Sequence, residues 1–157
     1  MSGKEHHYPV TIIWTGNQGT GTSAYRAYSR DHVIHAGDKP EIAGSSDPSF
    51  RGDPGRWNPE ELLVASLSAC HKLWYLGLCA GAGIVVTGYE DRAEGWMVEE
   101  AGGAGQFTRV LLHPRVTLAP GSDLEKAAHL HHTAHEMCFI ARSVNFPVEA
   151  QPEFVTG

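Results

Sequence analysis

Residues 58–83 limit the fold more than any other part of this chain. Strong helix-start signals open the stretch. Asn58 is a good N-cap, Pro59 suits the first helical position and Glu61 completes a capping box. The helix is expected to run to about Ala80 and to stop at Gly81 or Gly83. Leu62, Leu63, Leu67, Ala69, Leu73, Trp74, Leu76 and Leu78 leave it little polar face. Such a helix has to be covered on most sides. In a chain of 157 residues, a second subunit is one way to supply that cover. Ser66, Ser68, His71 and Lys72 interrupt the apolar run, which reads as a buried helix of a soluble protein rather than a membrane span.

The rest of the chain reads as short elements around that helix. Residues 1–7 form a loose tail, and residues 1–157 are expected to make one domain. Residues 8–14, 24–36 and 39–44 have strand character. The glycine-rich turn at 15–22 lacks the Gly-Lys-Ser/Thr ending of a phosphate-binding loop. Residues 45–57 are a polar loop. After the helix, residues 84–94 and 95–100 read as strands joined by a turn at 101–105 to a long alternating stretch, 107–118. Ser122 or Asp123 caps a second helix, Leu124–Met137. Asn145-Phe146-Pro147 breaks the chain before a final strand over 148–155. This order of strands, helix, strands, helix and strand predicts an α+β fold with antiparallel sheet.

The formal net charge is −6 and the basic residues are scattered, so nucleic-acid binding has little electrostatic support. The polar first ten residues lack the apolar core of a signal peptide, and a cytoplasmic location is the expectation. In that compartment a disulfide is more often catalytic than structural.

Cys70 lies midway along the first helix and Cys138 ends the second. Two thiols that only the fold can bring together suit a nucleophile and its resolving partner. A thiolate attacks an O–O bond, becomes a sulfenic acid, and a second thiol condenses with it to a disulfide. The competing reading is that both are small buried hydrophobes, and composition alone favours it. Cys79 has no evident partner. A thiolate needs a cation nearby, and Arg51 and Arg56 in the loop before the helix are the candidates, against an ordinary role as surface arginines. Glu60 either complements the helix dipole or orients an arginine. It lies ten residues before Cys70 on one helix, about 15 Å of axial rise, and cannot touch that sulfur directly. An arginine spanning the gap, or Glu60 supplied by a second chain, would resolve this. An intertwined homodimer would also cover the apolar helix.

His129, His131, His132 and His135 crowd the second helix. His131 and His135 share a face with Cys138 beyond them, and together with Cys70 and His71 they would make a thiolate–imidazole zinc site. The HExxH pattern is absent, however, and histidine clusters on exposed helix faces are ordinary. His71 points about 100° away from Cys70.

The segments NPEELLVASLSACH (58–71) and HEMCFIARSVNFPV (135–148) resemble the OsmC/Ohr family of peroxide-reducing proteins. The resemblance covers nearly the whole chain. It implies an α+β intertwined homodimer, with antiparallel sheets wrapped around two central helices and active sites at the dimer interface. It places the peroxidatic cysteine on Cys70, the resolving cysteine on Cys138 and the glutamate on Glu60. In the OsmC branch the activating arginine precedes the helix, and Arg51 matches best, with Arg56 as the fallback. The Ohr branch takes its arginine from the first hairpin, and residues 15–24 contain none, so the resemblance is to the OsmC branch.

Two departures stand out. Other members often have Cys-Pro-Val-Ser, where this chain has Cys138-Phe139-Ile140-Ala141, and the second helix is therefore expected to continue past Cys138. Trp74 and Tyr75 make the first helix bulkier than usual and would reshape a substrate pocket. The function implied is thiol-dependent reduction of organic hydroperoxides, with hydrogen peroxide as a further candidate. A lipoyl- or thioredoxin-type dithiol would restore the thiols, and no metal or organic cofactor is required. The alternative is a non-catalytic protein of the same fold that binds a small ligand or a metal.

Overall fold

The computed structural model describes residues 3–157. Met1 and Ser2, the start of the expected tail, lie outside the described residues; residues 3–7 are exposed and have no secondary structure. The chain divides into two compact units, Met1–Leu62 and Leu63–Gly157.

The first unit holds β1 (Thr11–Trp14), β2 (His32–His35) and β3 (Ile42–Gly44), an antiparallel sheet in the order β1-β2-β3. The strand expected over 24–36 survives only as β2. Before it the chain turns around Arg30, whose guanidinium donates to the carbonyls of Tyr25 and Tyr28 at 2.6 Å each and lies over both rings. The 45–57 loop is tightly built. Asp47 caps a short 3-10 turn, Pro48–Phe50, by accepting from the Ser49 N–H. Gly52 packs so close that an added Cβ would lie 1.6 Å from the Ser46 carbonyl oxygen. Trp57 then returns to pair with Gly44.

Helix α1 (Pro59–Gly81) begins as its sequence predicts. Asn58 Oδ1 accepts from the Glu61 N–H at 2.8 Å, and Glu61 Oε1 accepts from the Asn58 N–H at 3.1 Å. Its end is a Schellman turn: Gly83 has φ of 74°, Ile84 N–H reaches the Cys79 carbonyl at 2.9 Å and Gly83 N–H the Ala80 carbonyl at 3.3 Å.

The second unit continues with β4 (Val86–Asp91), β5 (Glu94–Glu99), β6 (Gly105–Leu112), β7 (Pro114–Leu118), α2 (Leu124–Met137), β8 (Val148–Ala150) and β9 (Glu153–Thr156). Two sheets form, β4-β7-β9 and β5-β6-β8. Pairs β4–β7 and β5–β6 are antiparallel, while β6–β8 and β7–β9 are parallel. The stretch expected as one strand over 107–118 therefore splits at His113-Pro114. Pro114 has no N–H to continue a ladder, and the His113 N–H bonds to Asp91 Oδ1 at 2.7 Å. The alternation itself holds, with Val110, Leu112, Pro114, Val116 and Leu118 all buried. The final strand expected over 148–155 splits likewise, at Gln151-Pro152, into β8 and β9.

Leu67, His71, Tyr75 and Cys79, spaced i, i+4, are the buried stripe of α1. Tyr75 and Cys79 pack with Val116, Leu118, Ala127 and Ala134, while Leu67 packs with Val110, Leu112 and Val148. Full burial of a side chain such as Leu67 stabilises by about 1.5–3 kcal/mol. The rest of the helix is far less covered than its composition predicts; Leu73 is 64% exposed. By length and composition α1 would also pass as a membrane span, yet its buried stripe packs on strands and carries a histidine.

Candidate active site

Cys70 is half-buried on α1, and Cys138 is 1% exposed at the C-terminal cap of α2. Helix α2 does not continue past Cys138, contrary to the expectation from Phe139-Ile140. The Cys138 backbone is extended (φ −65°, ψ 114°), and the chain folds into a second 3-10 turn, Ala141–Ser143. Four bonds hold this turn: Arg142 N–H to the Cys138 carbonyl at 3.0 Å, Ser143 N–H to the Ile140 carbonyl at 2.9 Å, Ser143 Oγ–H to the Phe139 carbonyl at 2.7 Å, and Ala141 N–H to Cys138 Sγ at 3.4 Å.

This geometry delivers the two thiols to each other. The Cys70 side chain lies beside Cys138. Burial first, and the Cys70 side chain second, push the Cys138 thiol up to about 11, so it keeps its proton at neutral pH. Cys70 is the more accessible sulfur of the pair. Cys79 is a different case. Burial raises it, the Tyr75 hydroxyl lies against it, and it belongs to the core.

Beside the sulfurs a second pairing repeats the first. Trp74, one turn beyond Cys70, meets Phe139, the neighbour of Cys138, edge to face at 5.4 Å between ring centroids. Ala141, which bonds the Cys138 sulfur, also lines an open depression of about 500 Å³ with His135, Glu136 and Arg142.

The histidines do not converge on the thiols. His71 Nε2 and His131 Nδ1 share a buried hydrogen bond of 2.9 Å, while His129, His132 and His135 face solvent. Among the described residues no group of three or more His, Cys, Asp or Glu side chains is placed to hold a metal ion. Tyr75 stacks on His131 at 3.7 Å and donates its hydroxyl to the Ala127 carbonyl. Asp91 Oδ2 accepts from Ser68 Oγ, which ties α1 to β4. The spacing of Leu67, His71, Tyr75 and Cys79 could have revealed the inward histidine. Nothing in the sequence signals its partner.

The other candidate residues belong to the first unit. Arg51 is exposed in a left-handed conformation (φ 66°) at the end of the first 3-10 turn, and among the described residues its guanidinium makes no hydrogen bond or ion pair. Arg56 is committed elsewhere. It donates to the carbonyls of Gly44 at 2.9 Å and His32 at 2.8 Å and lies 3.7 Å from Asp31, stitching the loop to β2 and β3. Glu60, half-buried, sits in the first turn of α1.

Residues 52–153 match the family described as OsmC-like protein. The chain belongs to this OsmC-like family. An OsmC-like protein of unknown function from Vibrio cholerae is 30% identical, with a TM-score of 0.84 over 94% of this chain and 99% of that one. The organic hydroperoxide resistance protein OsmC from Legionella pneumophila is 17% identical, with a TM-score of 0.67 over 96% of this chain and 98% of its own. The organic hydroperoxide resistance protein OhrB of Bacillus subtilis is 19% identical, with a TM-score of 0.64 over 96% and 98%. At such identities the last two share the fold. No curated protein sequence matches the chain significantly.

Proposed function

We propose that this OsmC-like protein is a cytoplasmic, cysteine-based hydroperoxide reductase. The observation that carries the reading is the nearness of the Cys70 and Cys138 side chains, on segments that no local motif joins. Cys70, as thiolate, attacks the terminal peroxide oxygen. The O–O bond breaks, the alkoxide leaves and takes a proton to become an alcohol, and Cys70 becomes a sulfenic acid. The Cys138 thiol then displaces water from that sulfenic acid and forms the Cys70–Cys138 disulfide. An external dithiol, of lipoyl or thioredoxin type, reduces it by exchange. No metal or organic cofactor takes part. The names of the Legionella and Bacillus proteins, which share the fold, support organic hydroperoxides as the substrate class.

Arg51, with its guanidinium uncommitted, is the residue we assign to stabilise the thiolate and the developing alkoxide, with Glu60 orienting it. An intertwined homodimer would supply these groups across its interface. The first unit supports that assembly: Ile12, Ile13, Trp14 and Ile42 of its small sheet are exposed, and so is Leu73 of α1. A three-stranded sheet with an uncovered apolar surface needs a packing partner.

Titration of free thiols tests the reading. One equivalent of cumene hydroperoxide is expected to remove two thiols per chain in the wild type. Cys70→Ser is expected to lose none. Unchanged thiol counts in the wild type would refute the peroxidase.

A further inference from the structure

We infer that the His71–His131 bond is the clasp that sets Cys138 against Cys70 for disulfide formation, which makes these two histidines positioning residues of the peroxidase. The inference rests on the peroxidase reading above and adds the groups that hold its second step. In that step the Cys138 sulfur attacks the Cys70 sulfenic acid. An S–S bond forms, the S–O bond breaks, and the hydroxyl leaves with the Cys138 proton as water.

Position supports this first. Among the described residues, three hydrogen bonds link α1 or its end to α2. Lys126 Nζ donates to the carbonyl of Ala82, just past α1, at 3.3 Å; the Tyr75 hydroxyl donates to the Ala127 carbonyl at 2.9 Å; and His71 Nε2 meets His131 Nδ1 at 2.9 Å. The partners descend α1 as they climb α2, and the next pair in that order is Cys70 with Cys138. The histidine bond is therefore the last directional contact before the sulfurs. His71 is the immediate neighbour of Cys70, while two turns of α2, about 10 Å of axial rise, separate His131 from Cys138. A slide or tilt of α2 at the clasp is carried along those two turns to the Cys138 sulfur.

Burial supports it next. His71 is 2% exposed and His131 4%. His131 stacks on Tyr75 and meets Phe154 of β9 at 5.7 Å between ring centroids, and its Nε2 has no hydrogen-bond partner among the described residues. A buried polar atom without a partner lowers stability, and two apolar side chains of similar shape would fill the space without that cost. What they would lack is direction. Apolar packing tolerates a small slide between helices, whereas a 2.9 Å bond between two rings does not.

The test is a single turnover with one equivalent of cumene hydroperoxide in the presence of dimedone, which captures a sulfenic acid that has not been resolved. Three proteins are compared: the wild type; His71→Leu/His131→Phe, which replaces the bond by apolar packing; and His131→Asn, whose amide stands near the place of Nδ1 and keeps a hydrogen-bonding partner for His71. A misplacement of about 1 Å costs a reacting pair about a hundredfold in rate, so the double variant is expected to form the Cys70–Cys138 disulfide at least about tenfold more slowly. It should accumulate dimedone-labelled Cys70, while its rate of peroxide consumption changes far less. His131→Asn should recover most of the disulfide rate. A double variant that forms the disulfide as fast as the wild type overturns the inference. So does one in which peroxide consumption and disulfide formation fall together, or a His131→Asn variant as slow as the double one. A double variant that does not fold also counts against it, because the pair would then serve the fold rather than the sulfurs. A wild type that consumes no peroxide and loses no thiol would instead overturn the peroxidase reading on which this one stands.

Discussion

His71 on α1 and His131 on α2 are bonded ring to ring, Nε2 to Nδ1, at 2.9 Å, with the two imidazoles inclined by only 7°. One nitrogen must donate and the other accept, so the bond requires an unprotonated nitrogen in the pair. Burial, the largest cause, lowers His71 to about 4; Asp91 opposes this and His135 adds to it. Burial, then His71, lowers His131 to about 3. Both groups bind protons more weakly folded than unfolded.

Stability is therefore expected to hold above about pH 6.5, to fall as the pH drops from there, and to level off only below the folded values of about 4 and about 3. Denaturant titrations between pH 7.5 and 4 check this. The wild type should lose several kcal/mol, a large share of an ordinary domain's stability. The double variant His71→Leu/His131→Phe should show a much flatter profile.

The thiols should differ in reactivity as they differ in setting. Cys138 is pushed up to about 11 and Cys79 is raised by burial, and both are nearly inaccessible. Limited alkylation at neutral pH, resolved by peptide mass spectrometry, should label Cys70 first. Cys138 and Cys79 should react only after unfolding.

The two arginines of the 45–57 loop should separate by phenotype. Arg51→Ala is expected to lower peroxide turnover by about a hundredfold or more, since an oxyanion-stabilising donor would be lost, with little change in stability. Arg56→Ala removes the bonds to Gly44 and His32 and should lower stability first. Parallel kinetics and denaturation of the two variants check this.

The reciprocal bonds of Asn58 and Glu61 are the start of α1. Asn58→Ala should cost about 1 kcal/mol, read as a shift of the urea midpoint at constant slope.

The start and end of α1 were legible because caps are local: Asn58, Glu61 and Gly83 act on backbone groups within a few residues. The inward alternation of Val110, Leu112, Val116 and Leu118 was legible for a similar reason, because burial follows the pleat. The change of sheet at His113-Pro114 was not, since the period runs through it unbroken; only the missing N–H of Pro114 marked the place. The α+β class followed from the order of strands and helices, and the roles of the two cysteines from the family resemblance. The His71–His131 bond and the Trp74–Phe139 contact were invisible, because each joins segments whose approach is set by tertiary packing rather than by any local pattern. The resemblance ranked Arg51 ahead of Arg56, but the carbonyls of Gly44 and His32 that hold Arg56 are tertiary contacts that no local pattern shows.

The central claim is that the Cys70 and Cys138 sulfurs form a redox pair within one chain. Mass-spectrometric mapping of the protein after one equivalent of cumene hydroperoxide, alkylated without reduction, tests it most directly. The expected product is an intrachain Cys70–Cys138 disulfide with Cys79 still free. A protein that emerges with all three thiols alkylated, or with Cys70 over-oxidised and Cys138 untouched, would contradict it.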